Sequence, residues 1–244
     1  MNKYTAFLCA AFTFSSPLLA DSQPVTFVTD DGIEIAATYS ELETVGARLP
    51  AVIFIHQGGS NKSEWTNLGL FHKLATQNMI ALAYDIRGHG ASAGKADFST
   101  LFNDPNQAPL DLKAAMKFLA TKPHVDMDRI AIVGASIGSN LAVMASGLNS
   151  YNIKSAVAIS GKTSAVYNLA GKKPGDITFR SIFHIAAANE QGGKRAAWAK
   201  EMYGKTTAPK KLEIIKGSNK HGVSIFTDAP MLADHILAWL LETL

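Results

Sequence analysis

A serine between two glycines, a histidine beyond the last strand and a glutamate at an earlier strand exit could together perform acyl transfer. Gly134-Ala135-Ser136-Ile137-Gly138 has the spacing of a strand-to-helix elbow that lifts a hydroxyl above a sheet edge. Serine is a weak nucleophile at neutral pH. It needs a base to take its proton and a carboxylate to orient that base. His221, in Gly217-Ser218-Asn219-Lys220-His221-Gly222, is the candidate base, and Glu190 is the candidate acid. Asp176 is the weaker alternative because it precedes its strand and falls at the wrong end of it. A tetrahedral intermediate also needs two preset amide donors for its oxyanion. The amide of Ile137, after the nucleophile, is one. Gly58, in His56-Gln57-Gly58-Gly59-Ser60, supplies the other, with Gly59 as second choice.

These residues must be carried to one place by the elements around them. Ile130–Val133, Ala51–Ile55 and Ile80–Tyr84 are short apolar runs that read as buried parallel strands, followed by Ile153–Ser160, by Ile182–Glu190 as a strand with its exit, and by Leu212–Lys216. Val25–Thr29 and Ile33–Tyr39 flank Asp30-Asp31-Gly32, a hairpin signal, so the sheet opens antiparallel. Helices are expected over Ser63–Gln77, with Ser63 as N-cap, around Leu110–Leu119, after Ser136, over Lys194–Tyr203 and over Asp228–Glu242, with Met231, Leu232, Ile236, Trp239 and Leu240 inward. Strands alternating with helices predict an α/β fold: a mostly parallel, doubly wound sheet with helices on both faces. Ligands in such sheets bind beyond the carboxyl ends of the strands, where Ser136, Glu190 and His221 all fall. His184 lies inside a strand and reads as a packed core histidine. Asp85-Ile86-Arg87-Gly88-His89 reads as a loop of local ion pairs. Between Gly161 and Asp176 there is no length for a cap domain.

The chain has 244 residues, 47% hydrophobic and 18% charged, with a formal net charge of +3. That charge is small and scattered, which argues against nucleic acid as a partner. Lys172-Lys173 and Lys210-Lys211 read as loop and strand-start residues. Lys3, the apolar Tyr4–Phe14 and the run to Ala20 have the form of an export signal, too short for a permanent membrane anchor. The expectation is a signal peptide over residues 1–20, one domain over 21–244, and a periplasmic or secreted protein. Cys9, the one cysteine, lies in that leader. No metal or organic cofactor is expected, since the histidines and carboxylates lack metal-ligand spacing.

With His56-Gln-Gly-Gly-Ser60, Asp85-Ile-Arg-Gly-His-Gly-Ala-Ser92, Asp128-Arg-Ile-Ala-Ile-Val-Gly-Ala-Ser-Ile-Gly138 and His221-Gly222 in this order, the chain resembles the small, uncapped α/β-hydrolases related to dienelactone hydrolases and bacterial carboxylesterases. It departs from them in two respects. Glu190 stands where aspartate is usual, and Ser136 where dienelactone hydrolases have cysteine. The resemblance implies a serine hydrolase acting on small-molecule esters of small to medium acyl groups. A peptidase or acyltransferase would use the same residues, and a non-catalytic binding protein on this fold is the alternative of a different class.

Overall fold

Within β3 (Leu49–Ile55) side chains alternate between two cores. Ala51, Ile53 and Ile55 join one hydrophobic cluster, Val52 and Phe54 the other. β5 (Val125–Ala135) divides likewise, with Ile130 and Ile132 on the first face and Ala131, Val133 and Ala135 on the second. A strand buried on both faces needs helices above and below it, and the molecule supplies both layers. The computed structural model describes residues 21–41, 46–95 and 97–244; the expected leader, residues 1–20, lies outside them.

The remaining strands are β1 (Asp21–Val28), β2 (Glu34–Glu41), β4 (Ile80–Tyr84), β6 (Ser155–Ile159), β7 (Phe179–Ala187) and β8 (Thr206–Ile215). They form one eight-stranded sheet in the order β1-β2-β4-β3-β5-β6-β7-β8. β1 pairs antiparallel with β2, and β2 with β4; every later pairing is parallel. This is the α/β-hydrolase fold, with the expected antiparallel opening. From β3 the chain steps outward to β4 and then returns to lay β5 on the other side of β3. The crevice at that reversal is where such sheets bind ligands. Ile55 pairs with Gly134 there, so the exits of β3 and β5 stand side by side.

Helices α1 (Ser63–Thr66) and α2 (Gly69–Ala75) replace the single expected helix. The chain turns extended at Leu68, which rephases the second segment so that Leu70, Phe71 and Leu74 are buried along with Trp65. A continuous helix could not turn both sets inward. Ser63 is not the cap; Asn61 Oδ1 accepts from Ser63 N at 2.9 Å. α3 (Phe98–Asn103), unexpected from sequence, is capped by Asp97, whose carboxylate accepts from Ser99 N. α4 (Ala108–Ala120), α5 (Ile137–Gly147), α6 (Thr163–Ala170) and α7 (Lys194–Lys205) follow. The expected final helix starts four residues late, as α9 (Leu232–Thr243), and is preceded by α8 (Ile225–Asp228), unexpected from sequence; the two are parted at Ala229 because Pro230 disfavours a helical residue before it. Leu232, Ile236, Trp239 and Leu240 are buried as expected, but Met231, at the break, is exposed. β8 begins earlier than Leu212, so Lys210 and Lys211 sit inside it, paired with Ile182 and Phe183. Pro209 is tolerated there because β8 is an edge strand.

Candidate active site

Ser136 stands alone between β5 and α5, with φ 51° and ψ −106°. A non-glycine residue there is strained and persists only where its surroundings hold it. Its amide donates to Ile159 O at 2.8 Å, and its carbonyl accepts from Asn140 N and Ser139 Oγ. The flanking glycines are required by space. A β-carbon on Gly134 would lie 2.7 Å from Ser139 N, and one on Gly138 2.7 Å from the carbonyl carbon of Ile55.

Glu190 leaves β7 and His221 leaves β8, and the two side chains meet. His221 Nδ1 donates to Glu190 Oε1 at 2.5 Å, and Glu190 is almost wholly buried. That contact fixes the tautomer with the proton on Nδ1 and leaves Nε2 free to accept one. Glu190 Oε2 accepts from Ser160 Oγ at 2.7 Å, and the same Ser160 Oγ accepts from Gly222 N at 3.1 Å. Arg195, buried in the first turn of α7, makes an ion-pair contact with Glu190 Oε1 at 3.2 Å and donates from Nη1 to Ser160 O at 2.8 Å. Desolvation holds the Arg195 guanidinium below its usual pKa range. Between Glu190 and Arg195 the backbone of Gln191, Gly192 and Gly193 is left-handed throughout (φ 50°, 65° and 86°), which folds Arg195 back onto Glu190.

Gly58 and Ile137, the two expected amide donors, pack against each other: a β-carbon on Gly58 would lie 2.9 Å from Ile137 Cδ1 and would collide with the edge of the Phe98 ring. Gly59 has open space at that position and does not abut Ile137. The loop bearing Gly58 is pinned by His56, whose Nε2 accepts from Ile86 N at 2.9 Å while Nδ1 donates to Gln57 O at 2.7 Å. Burial pushes the His56 pKa down to about 4, so it stays a neutral strut. Glu64 Oε1 accepts from Gln57 N at 2.9 Å, and burial raises this carboxyl to about 7. The Gln57 side chain lies against Gly222, where φ is +55° and a β-carbon would collide with Gln57 Oε1. The loop bearing His221 and the Gly58 loop therefore touch.

Asp176 is exposed and accepts only from Lys173 N among the side-chain bonds described; it does not reach His221. His184 is buried in β7 against Thr206 Oγ1, and burial, reinforced by the Lys210 ammonium, lowers its pKa to about 3. Asp85 accepts from Lys62 N, Lys62 Nζ and Ala91 N, and Arg87 pairs with Asp111 and Asp31, the local role expected of that loop. Sequence reasoning missed Ser160, Arg195, Glu64 and Phe98. Only Arg195 left a signal, a basic residue just beyond a Gly-Gly turn from the candidate acid. Among the described residues there is no group of three or more metal-ligating side chains, and no helix is long and apolar enough to cross a membrane.

A family model described as serine aminopeptidase, S33, matches residues 47–175, which takes in the Gly58 loop and the Ser136 elbow. A thiohydrolase from Arthrinium phaeospermum is 32% identical over 134 residues, 52% of this chain and 39% of that protein. The chain spans about two fifths of the length of the curated relatives it matches. Among solved structures, an acetyl xylan esterase from Paenibacillus sp. R4 is similar with a TM-score of 0.71 and 18% identity, over 96% of this chain and 87% of that one. The Pyrococcus furiosus esterase Pf2001 is similar with a TM-score of 0.69 and 18% identity, over 96% of both chains. At such identity the likeness shows the fold.

Proposed function

The chain belongs to the serine aminopeptidase S33 family of α/β-hydrolases, and from that premise we propose that it is a serine hydrolase cleaving carboxylic esters of small to medium acyl groups. The observation that carries this reading is the 2.5 Å contact of His221 Nδ1 with the buried Glu190, on the sheet edge that also presents the strained Ser136. In the proposed reaction Ser136 Oγ bonds to the ester carbonyl carbon as its proton passes to His221 Nε2. The carbonyl electrons move onto oxygen, held by the amides of Gly58 and Ile137. Collapse expels the alcohol, which takes the proton from Nε2, and leaves an acyl-serine. Water, deprotonated by the same nitrogen, then releases the acid. Glu190 stabilises the imidazolium formed in each half-reaction.

Among the described residues the connection from β6 to β7 carries only the short helix α6, which leaves the site open to a small-molecule ester. The acetyl xylan esterase and the Pyrococcus esterase named above support ester chemistry by fold alone. The family description favours a second reading, release of an N-terminal residue from a peptide. Comparison of p-nitrophenyl acetate with an aminoacyl p-nitroanilide separates the two. The deciding experiment for either is labelling with a fluorophosphonate probe and mapping of the modified peptide. Stoichiometric labelling at Ser136, lost in Ser136→Ala, is expected; a folded sample that does not label overturns the assignment in favour of a binding protein. We also propose export, tested by sequencing the N-terminus of the native protein, which should begin at Asp21.

A further inference from the structure

A glutamate in the acid position has one more rotatable bond than an aspartate, and a carboxylate that wanders cannot hold an imidazole in register. Here both oxygens are occupied. Oε2 is held by Ser160 Oγ, and Oε1, beside its contact with His221, lies 3.2 Å from Arg195 Nε, an ion-pair contact outside hydrogen-bond geometry that leaves this buried N–H without a hydrogen-bond partner. The two holding residues are themselves joined, Arg195 Nη1 to Ser160 O at 2.8 Å. Ser160 has a left-handed backbone (φ 58°), and its amide is taken by Ile185 O, so the hydroxyl is fixed from β6 while Arg195 approaches from α7. The same hydroxyl accepts from Gly222 N, the residue after the base. One small cluster thus ties the exits of β6, β7 and β8 to each other. Arg195 is 6% exposed and lies over the Trp198 ring, 5.3 Å from its centroid, so neither substrate nor solvent accounts for a cation there. A buried guanidinium is costly unless it is paired, and its partner is the acid.

We propose that Arg195 and Ser160 are positioning residues that clamp Glu190, and through it His221, so that a glutamate can serve where a shorter acid would need no such support. The proposal rests on the reading of Glu190 and His221 as acid and base. Arg195 and Ser160 are both buried beside Glu190, so loss of the clamp should appear in kcat and not in KM.

The test is a double-mutant cycle on ester hydrolysis. Arg195→Met is expected to lower kcat about tenfold to a hundredfold with KM unchanged, and Arg195→Lys, which keeps the charge, to restore most of that loss. In a Glu190→Gln background, Arg195→Met should cost less than twofold further, because nothing is left to clamp. An equal loss in both backgrounds, or a rise in KM that accounts for the whole effect, overturns the proposal. Where Arg195→Met does not fold, Ser160→Ala reads the same cycle through the other oxygen. If Glu190→Gln alone keeps full turnover, the acid assignment has failed; if Glu190→Gln is impaired and the cycle is additive, only the clamp has.

Discussion

The carbonyl carbon of Ile55, where β3 ends, lies 2.7 Å from the point a β-carbon on Gly138 would occupy. Strand and helix backbones are in contact at this point, and that contact sets the height at which Ser136 stands above the sheet. Gly138→Ala is therefore expected to push α5 away from β3. Activity should fall to background and the melting temperature should drop, as for overpacking of a rigid site. Gly204→Ala is the contrast. Gly204 is an exposed residue of α7 with nothing within 4 Å of the added carbon, so the change should stabilise by about 0.5–1 kcal/mol. Thermal melts of the two variants check both.

Replacing Glu190 with Gln keeps the shape but removes the charge facing His221 Nδ1, and the amide can present a donor to a nitrogen that already carries a proton. A loss of about 10³–10⁴ in kcat is expected, the scale seen when a triad acid is replaced by its amide. Asp176→Asn, at an exposed residue whose carboxylate accepts from Lys173 N, should leave kcat within twofold. The reverse pattern in steady-state rates would exchange the two roles.

The placement of Ser136, Glu190 and His221 on one sheet edge could be read from the chain because each residue follows a run of apolar residues that reads as a buried strand, and because parallel strands put all their exits on one edge. Arg195 and Ser160 were hidden for the converse reason: their importance comes from three strand exits converging, which no local pattern records. Helix ends failed where a neighbour overrode propensity. The Ser63–Gln77 pattern is continuous in sequence, yet Asp85, from a later strand exit, takes Lys62 N at 2.6 Å and helps to fix where α1 starts. At Ala229 the signal was present in Pro230, and the apolar periodicity that follows it masked it.

His184 gives the pH dependence of stability a definite sign. Its folded pKa is pushed down to about 3, below the 6.5 of an unfolded histidine. Between those values the unfolded chain holds the extra proton, so its contribution to stability is complete above pH 6.5 and is lost as pH falls toward 3. The limiting slope is about 1.4 kcal/mol per pH unit. His184→Gln, which keeps a donor for Thr206 Oγ1, removes that titration. Urea unfolding at pH 7 and pH 5 should show the wild type losing about 2 kcal/mol more than the variant on acidification. Taking the difference cancels the contributions of His56, which has the same sign, and of Glu64, which has the opposite sign. Parallel curves would mean that His184 is not buried neutral.

Gly58 sits between two neighbours, and they make separate demands. Its missing side chain leaves room for the Phe98 ring on one side and Ile137 Cδ1 on the other. Gly58→Ala is expected to force the loop away from Ile137 and to cost at least tenfold in kcat, because an amide donor moved from its place no longer meets the developing oxyanion. Phe98 is 55% exposed, so its ring can be removed at little cost to the fold. Phe98→Ala should therefore relieve the first collision and leave the second, and Gly58→Ala with Phe98→Ala should recover part, not all, of the lost rate. Full recovery would mean that Ile137 yields freely and that its packing against Gly58 does not set the distance between the two amides. No recovery would place the whole cost of the added methyl group on the Ile137 side.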